Sequence, residues 1–146
     1  MTPEIGKIAK KAFADSFLFY LQAHYYHWNV EGRHFSQDHK LFQKIYEDVQ
    51  EAIDKFAEEL RAIGTYAPGV FDRFKELATI HQSDEIPTAE KMYSNLIDSN
   101  EKVLKSLDAA FDILEANHLH GFSNFIADRV DAHSKHGWML KSTLKK

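Results

Sequence analysis

The places where this chain interrupts itself constrain its fold more than any other feature. Only three prolines and six glycines occur in 146 residues. Between them, apolar side chains recur every three or four positions, the period of a helix buried on one face. From Pro3 to Trp28 the stripe reads Ile5, Ile8, Ala12, Phe13, Phe17, Tyr20, His24 and His27. Thr2 is placed to cap this segment, with Pro3 at the first helical position. After NVEGRHF, broken at Gly32, a second stripe of Phe42, Ile45, Val49, Ile53, Phe56, Leu60 and Ile63 runs from a cap at Ser36 to Gly64. A third stripe, Met92, Leu96, Val103, Leu107, Ala110 and Leu114, runs from a cap at Thr88 to about Asn117. Gly121 marks the turn into a fourth helix, from about Phe122 to Leu144.

No segment reads as a strand. The first and third connections are short and make antiparallel hairpins. The second, TYAPGVFDRFKELATIHQSDEIP, is too long for a plain loop, and a short helix is expected inside it over Val70–Ala78. An all-α four-helix bundle with one long crossover is the ferritin-like topology, here as a single domain over residues 1–146. With 44% apolar and 13% aromatic residues the chain can fill such a core. It has no cysteine, which excludes disulfide scaffolds, thiolate zinc sites and thiol nucleophiles. The N-terminus carries Glu4, Lys7, Lys10 and Lys11 in place of a signal peptide's apolar core. No apolar run approaches the roughly 18 residues of a membrane span, so a cytoplasmic protein is expected. The net charge of −4 disfavours general nucleic-acid binding.

Nine histidines are the compositional oddity, and histidine is the commonest metal ligand. His27 ends the first helix and His39 opens the second, so the hairpin brings their imidazoles within reach. Asp54 and Glu58 are four apart on one helix face, within an acidic stripe with Glu47 and Glu51 that by itself reads as an ordinary solvated surface. The two pairs cannot meet within one chain. His39 and Asp54 lie fifteen residues apart on one helix, about 22 Å at about 1.5 Å per residue, yet only about 60° apart around it. A second copy running antiparallel would set its Asp54 and Glu58 beside the first copy's His27 and His39, and two-fold symmetry would repeat the contact. If the four residues form one site, that site lies between subunits.

The segment HYYHWNVEGRHFSQDHKLFQKIYEDVQEAIDKFAEELRAIG resembles the signature region of Dps proteins, the DNA-protecting miniferritins of starved bacteria. A His-Trp pair ends the first helix, a histidine follows twelve residues later, an aspartate fifteen after that and a glutamate four further on. The likeness continues through YAPGVFDRFKELATI and HSKHGWMLKS. It implies a ferroxidase centre with His27 and His39 from one subunit and Asp54 and Glu58 from its two-fold mate. It further implies a hollow homododecamer that oxidises Fe(II) to Fe(III), preferably with hydrogen peroxide and otherwise with dioxygen, and stores ferric mineral, protecting against oxidative damage. DNA is a further partner the family name carries; a DNA-compacting architectural protein with little catalysis is the alternative reading. The lysines at 7, 10 and 11 and at 141, 145 and 146 make no long tail and do not favour it.

Mixed imidazole and carboxylate ligands suit ferrous iron without excluding zinc, so the choice of metal follows the resemblance. Trp28 is a candidate one-electron donor, set against a packed aromatic beside Trp138. His24, one turn before His27, is a candidate auxiliary ligand or partner of one. Ferritin-type Glu-x-x-His strings occur at Glu31–His34 and Glu115–His118. Neither is expected to ligate, the first lying in a loop and the second lacking a mate. His133 and His136 are expected in a surface or packing role, and Asp128 and Asp131 are candidates for lining an iron-entry pore.

Overall fold

The computed structural model describes residues 2–145; Met1 and Lys146, which includes the last of the C-terminal lysines, lie outside the described residues. Five helices follow one another: α1 (Pro3–Asn29), α2 (Phe35–Ala62), α3 (Phe71–Leu77), α4 (Ala89–Ala116) and α5 (His120–Leu144). The described residues contain no strand, and no helix among them is long and apolar enough to cross a membrane. The four long helices form the bundle, and α3 is the short helix of the crossover. Tyr93, in the second turn of α4, donates a hydrogen bond of 2.7 Å to the buried Asp38 near the start of α2. The crossover therefore returns the chain to the end where α2 began, and α2 and α4 run the same way. Burial and the bond to Asp38 together push the Tyr93 hydroxyl well above the ordinary tyrosine range.

The core is built from one stripe of each long helix. The expected positions of α4 (Met92, Leu96, Val103, Leu107, Ala110, Leu114) are all fully buried, as are Phe42, Ile45, Val49, Phe56 and Leu60 of α2. In α1 the deepest face is shifted from the expected one: Ile5, Ala9, Ala12, Phe13, Phe19, Ala23 and Tyr26 are buried, whereas Ile8, Phe17, Tyr20 and His24 are half-buried on its flank. The reason is that α1 packs on three elements at once. Its small residues let α4 approach, while Phe17 turns to the crossover and stacks on Phe74 of α3 at 4.3 Å.

Helix ends differ from expectation in three places. Thr2 stands at the N-cap position of α1 but its side chain makes no capping hydrogen bond. Ser36 lies inside α2, whose N-cap position is His34 without a side-chain cap. The turn between α4 and α5 bends at His118, held at φ 59°, rather than at Gly121, which sits inside α5. Thr88 caps α4 as expected, accepting from the Lys91 backbone N–H at 3.2 Å.

A buried carboxylate ties the crossover down. Asp15 of α1 accepts from the Thr79 N–H (2.7 Å), the Thr79 hydroxyl (2.8 Å), the Ile80 N–H (3.1 Å) and the Ser106 hydroxyl of α4 (2.5 Å). Two backbone donors of an otherwise irregular segment are thereby satisfied in the interior, where an orphaned donor is costly. Asp15→Ala should destabilise the fold by roughly 3 kcal/mol, as expected for stranding several donors of a charge-assisted network, read as a lowered urea midpoint.

Candidate metal centre at the hairpin ends

The short turn between α1 and α2 sets the histidine pair. Gly32 takes φ +127° there, a conformation side chains rarely adopt, and reverses the chain within five residues. His27 and His39 then lie face to face, ring centroids 3.7 Å apart and 16° from parallel. Their hydrogen bonds are reciprocal. His27 Nδ1 is 2.8 Å from the His39 carbonyl oxygen, and His39 Nδ1 is 2.7 Å from the His27 carbonyl oxygen. A carbonyl only accepts, so both rings carry their proton on Nδ1. Both Nε2 lone pairs are thereby left free, the tautomer and fixed orientation a metal-ligating imidazole needs. Phe35 stacks on His39 at 5.0 Å, and Tyr46 approaches His27 at 5.1 Å.

Asp54 and Glu58 are exposed on α2, as are Glu47 and Glu51. Neither Asp54 nor Glu58 has a hydrogen-bond or ion-pair partner among the described residues. Because α2 is unbroken over its 28 residues, they stand far along the rod from His39. Among the described residues of one chain, no three His, Asp or Glu side chains are placed to hold a metal ion together. The structure thus brings the two histidines together and leaves the two carboxylates apart from them.

Other candidates fall elsewhere. Trp28 and Trp138 are 59% and 68% exposed, so neither is a packed core aromatic. Trp28 lies 4.0 Å from the ring of His24, which stacks on Tyr46 at 3.8 Å. Burial, followed by the neighbouring His27, lowers the His24 pKa. Glu115 binds His120 (3.1 Å) and Ser123 (2.5 Å) at the α4–α5 turn, and Asp128 and Asp131 are exposed, the latter paired with Lys135.

His133 and His136 are interior residues, not surface ones. His136 Nε2 donates to Asp48 Oδ2 at 2.7 Å, and Arg129 grips the same carboxylate with both terminal nitrogens. Burial would raise the Asp48 pKa, but the bonds from His136 and Arg129 outweigh it and hold the carboxyl well below its usual range. His133 Nδ1 lies 2.9 Å from Asn100 Oδ1, while Asn100 Nδ2 donates to the His133 carbonyl at 2.8 Å. Gly137 allows that approach, since a Cβ there would come within 3.0 Å of Asn100 Nδ2. Tyr20, Tyr46 and Gln50 around the histidine pair, and Asp48 with Arg129, were not singled out from the sequence. The available signals were the Tyr20–His24 spacing of four and the His39–Tyr46 spacing of seven, both same-face separations on a helix.

A ferritin-like bundle is the class these features define, and a ferritin-like domain family model matches residues 7–146. A low-temperature-induced protein of Nostoc is 31% identical, with 90% of this chain aligned to 75% of that one. A protein of Brevibacillus brevis called DNA protection during starvation protein is 26% identical over 97% of this chain and 95% of its own. The crystal structure of Dps from Vibrio cholerae superposes with a TM-score of 0.92 at 24% identity, covering 97% of this chain and 89% of that one. The chain belongs to the ferritin-like family, and within it is similar to Dps proteins over nearly its whole length.

Burial, then the nearby Arg129 and His136, depress the His133 pKa well below its ordinary 6.5, and Asp48 opposes them only in part. The unfolded chain therefore binds a proton that the folded one refuses. Stability from this group is fully present above about pH 6.5 and declines as the pH falls, with a limiting slope of about 1.4 kcal/mol per pH unit. Urea midpoints measured from pH 7 to 5 should fall, and fall less steeply in His133→Leu.

Proposed function

We propose that this protein is a ferroxidase and iron store, a cytoplasmic miniferritin whose reaction sites lie between two copies of the chain. The observation that carries this reading is the reciprocal locking of His27 and His39, which leaves two parallel imidazoles with free Nε2 lone pairs at one end of α2. The complementary half is the unpartnered Asp54–Glu58 pair at the other end. An antiparallel second copy supplies what each end lacks, and the same operation creates the second site. Twelve copies closing into a hollow shell would hold the ferric product.

The donor set suits the chemistry. Imidazole and carboxylate together accept Fe(II), and the carboxylates favour the more highly charged Fe(III) that forms. With hydrogen peroxide as the preferred oxidant, two Fe(II) give one electron each. The O–O bond breaks, two protons are taken up, and two water molecules result. A pairwise transfer releases no hydroxyl radical, which couples storage to protection. Dioxygen is the slower alternative oxidant.

A second reading, DNA binding, is favoured by one observation. Lys7, Lys10 and Lys11 of α1 share a cleft of about 550 Å³ with Arg73 and Glu76 of α3, and Lys102 and Lys105 of α4 line the adjoining one with Lys11. Six cations thus face one carboxylate, which Arg73 already pairs, in a chain of net charge −4. A gel shift that weakens steeply with salt would support this surface.

Subunit mixing tests the main reading directly. His39→Ala and Glu58→Ala should each abolish rapid peroxide-driven Fe(II) oxidation while the oligomer persists. Mixed in equal amounts and reassembled, the two inactive variants should recover about a quarter of the wild-type rate, because half of random pairs are hybrids and each hybrid has one intact site. A site contained within one subunit would give no recovery.

A further inference from the structure

A third imidazole stands beside the pair, and its Nδ1 faces a hydroxyl where theirs face carbonyls. His24 lies one turn before His27 on α1, with ring centroids 5.9 Å apart. Its Nδ1 is 3.0 Å from the Tyr20 hydroxyl, and Gln50 of α2 donates from Nε2 to that same hydroxyl oxygen at 3.2 Å. A phenol has a single hydrogen. With the oxygen accepting from Gln50 and its one hydrogen given to His24 Nδ1, that nitrogen supplies the lone pair. The proton of the neutral His24 ring is then on Nε2. His27 and His39 have the reverse arrangement, Nδ1–H donating to a carbonyl and Nε2 free. The orientation of His24 is fixed from the ring faces as well. Tyr46 stacks on it 8° from parallel and Trp28 lies within 4.0 Å, and Tyr46 also touches His27.

We propose that His24 is a hydrogen-bond donor to the oxidant at this site rather than a third metal ligand, held in the donor tautomer by Tyr20 and Gln50. This rests on the ferroxidase reading above. When peroxide takes two electrons from two Fe(II), its O–O bond breaks and each oxygen gains negative charge before solvent protons complete two waters. A fixed N–H presented to developing oxyanion charge lowers such a barrier without giving up its own proton, and the His24 ring stands 5.9 Å from that of His27. Tyr20 and Gln50 are positioning residues, acting through His24. The same lock has a second effect. It denies the metal a third imidazole, so the site stays at two nitrogen ligands per subunit and its grip on product iron stays moderate.

The test uses the assembled protein, with Co(II) as an oxidant-inert probe of ligation and stopped-flow peroxide oxidation of Fe(II) as the probe of the reaction. In His24→Leu, Co(II) affinity and spectrum should be unchanged, while the peroxide step slows by about tenfold to a hundredfold, at or below the range for losing one oxyanion donor. His24→Gln, whose amide N–H reaches near the position of Nε2–H, should recover most of the rate. Tyr20→Phe frees the ring to change tautomer and should tighten Co(II) binding with a shifted d–d spectrum, as a third nitrogen enters. Loss of Co(II) affinity in His24→Leu would show a ligand or a support for one, and would overturn the proposal. So would an unchanged peroxide rate in that variant, or a Tyr20→Phe spectrum identical to wild type. Failure of the underlying site reading has a different signature: His39→Ala would then bind Co(II) and oxidise Fe(II) like the wild type.

Discussion

The length and continuity of α2 is the constraint on which the rest of the molecule turns. A helix of 28 residues is a rod of about 42 Å, and it carries a histidine near its start and two carboxylates well beyond its middle. Nothing within the chain folds that rod back on itself. Its apolar stripe is committed to the bundle through Phe42, Ile45, Val49, Phe56 and Leu60, with Ile53 and Ile63 half-buried at its margin, so its polar face is left outward with the candidate ligands His39, Asp54 and Glu58 spread along it. With the proposed half-sites separated on a rigid element, one antiparallel copy would align both at once. The helix that stabilises the monomer thus leaves each proposed site incomplete in it.

The interior polar bonds serve the same geometry. Asp15 fastens the crossover to α1 and α4. Asp38 and Tyr93 join the beginnings of α2 and α4. Asp48 clamps α2 to α5 through Arg129 and His136. Buried Asp15 and half-buried Asp48 are each matched by several donors, and buried Asp38 by the Tyr93 hydroxyl, as burial of a charge requires. Together they fix which helices neighbour which, something apolar contacts, being non-directional, specify less sharply. At the hairpin, the two histidines hold each other's backbone and so fix the tautomer on which their proposed ligand role depends.

Much of this architecture was legible in the residues. The period of the apolar positions located three of the long helices, with every expected core position of α4 buried, and the turn signal at Gly121 set the fourth to within two residues of its start. The crossover helix was legible because a loop of that length needs structure of its own. Less was legible in α1, whose apolar residues cover more than one face. Periodicity alone could not rank the Phe17–Tyr20–His24 face against the Phe19–Ala23–Tyr26 face, because packing against α3 and α4 decides between them. The αL turn at His118 was hidden for a similar reason: Gly121 nearby offered the stronger local signal, yet the helix had already restarted.

Of the candidate site, the ligand types and their spacing belonged to the sequence by itself, and so did the exclusion of a site within one chain, since helical rise is fixed by backbone geometry. The family likeness also stood in the linear pattern. Only the tertiary structure decided which nitrogens are free. The tautomers of His27, His39 and His24 depend on carbonyls, a hydroxyl and an amide brought up from other turns and other helices, and no linear pattern encodes a hydrogen-bond partner across a fold. For the same reason His133 and His136, which as text are two histidines three apart on a helix, became interior anchors only once α2 and α4 were placed against them.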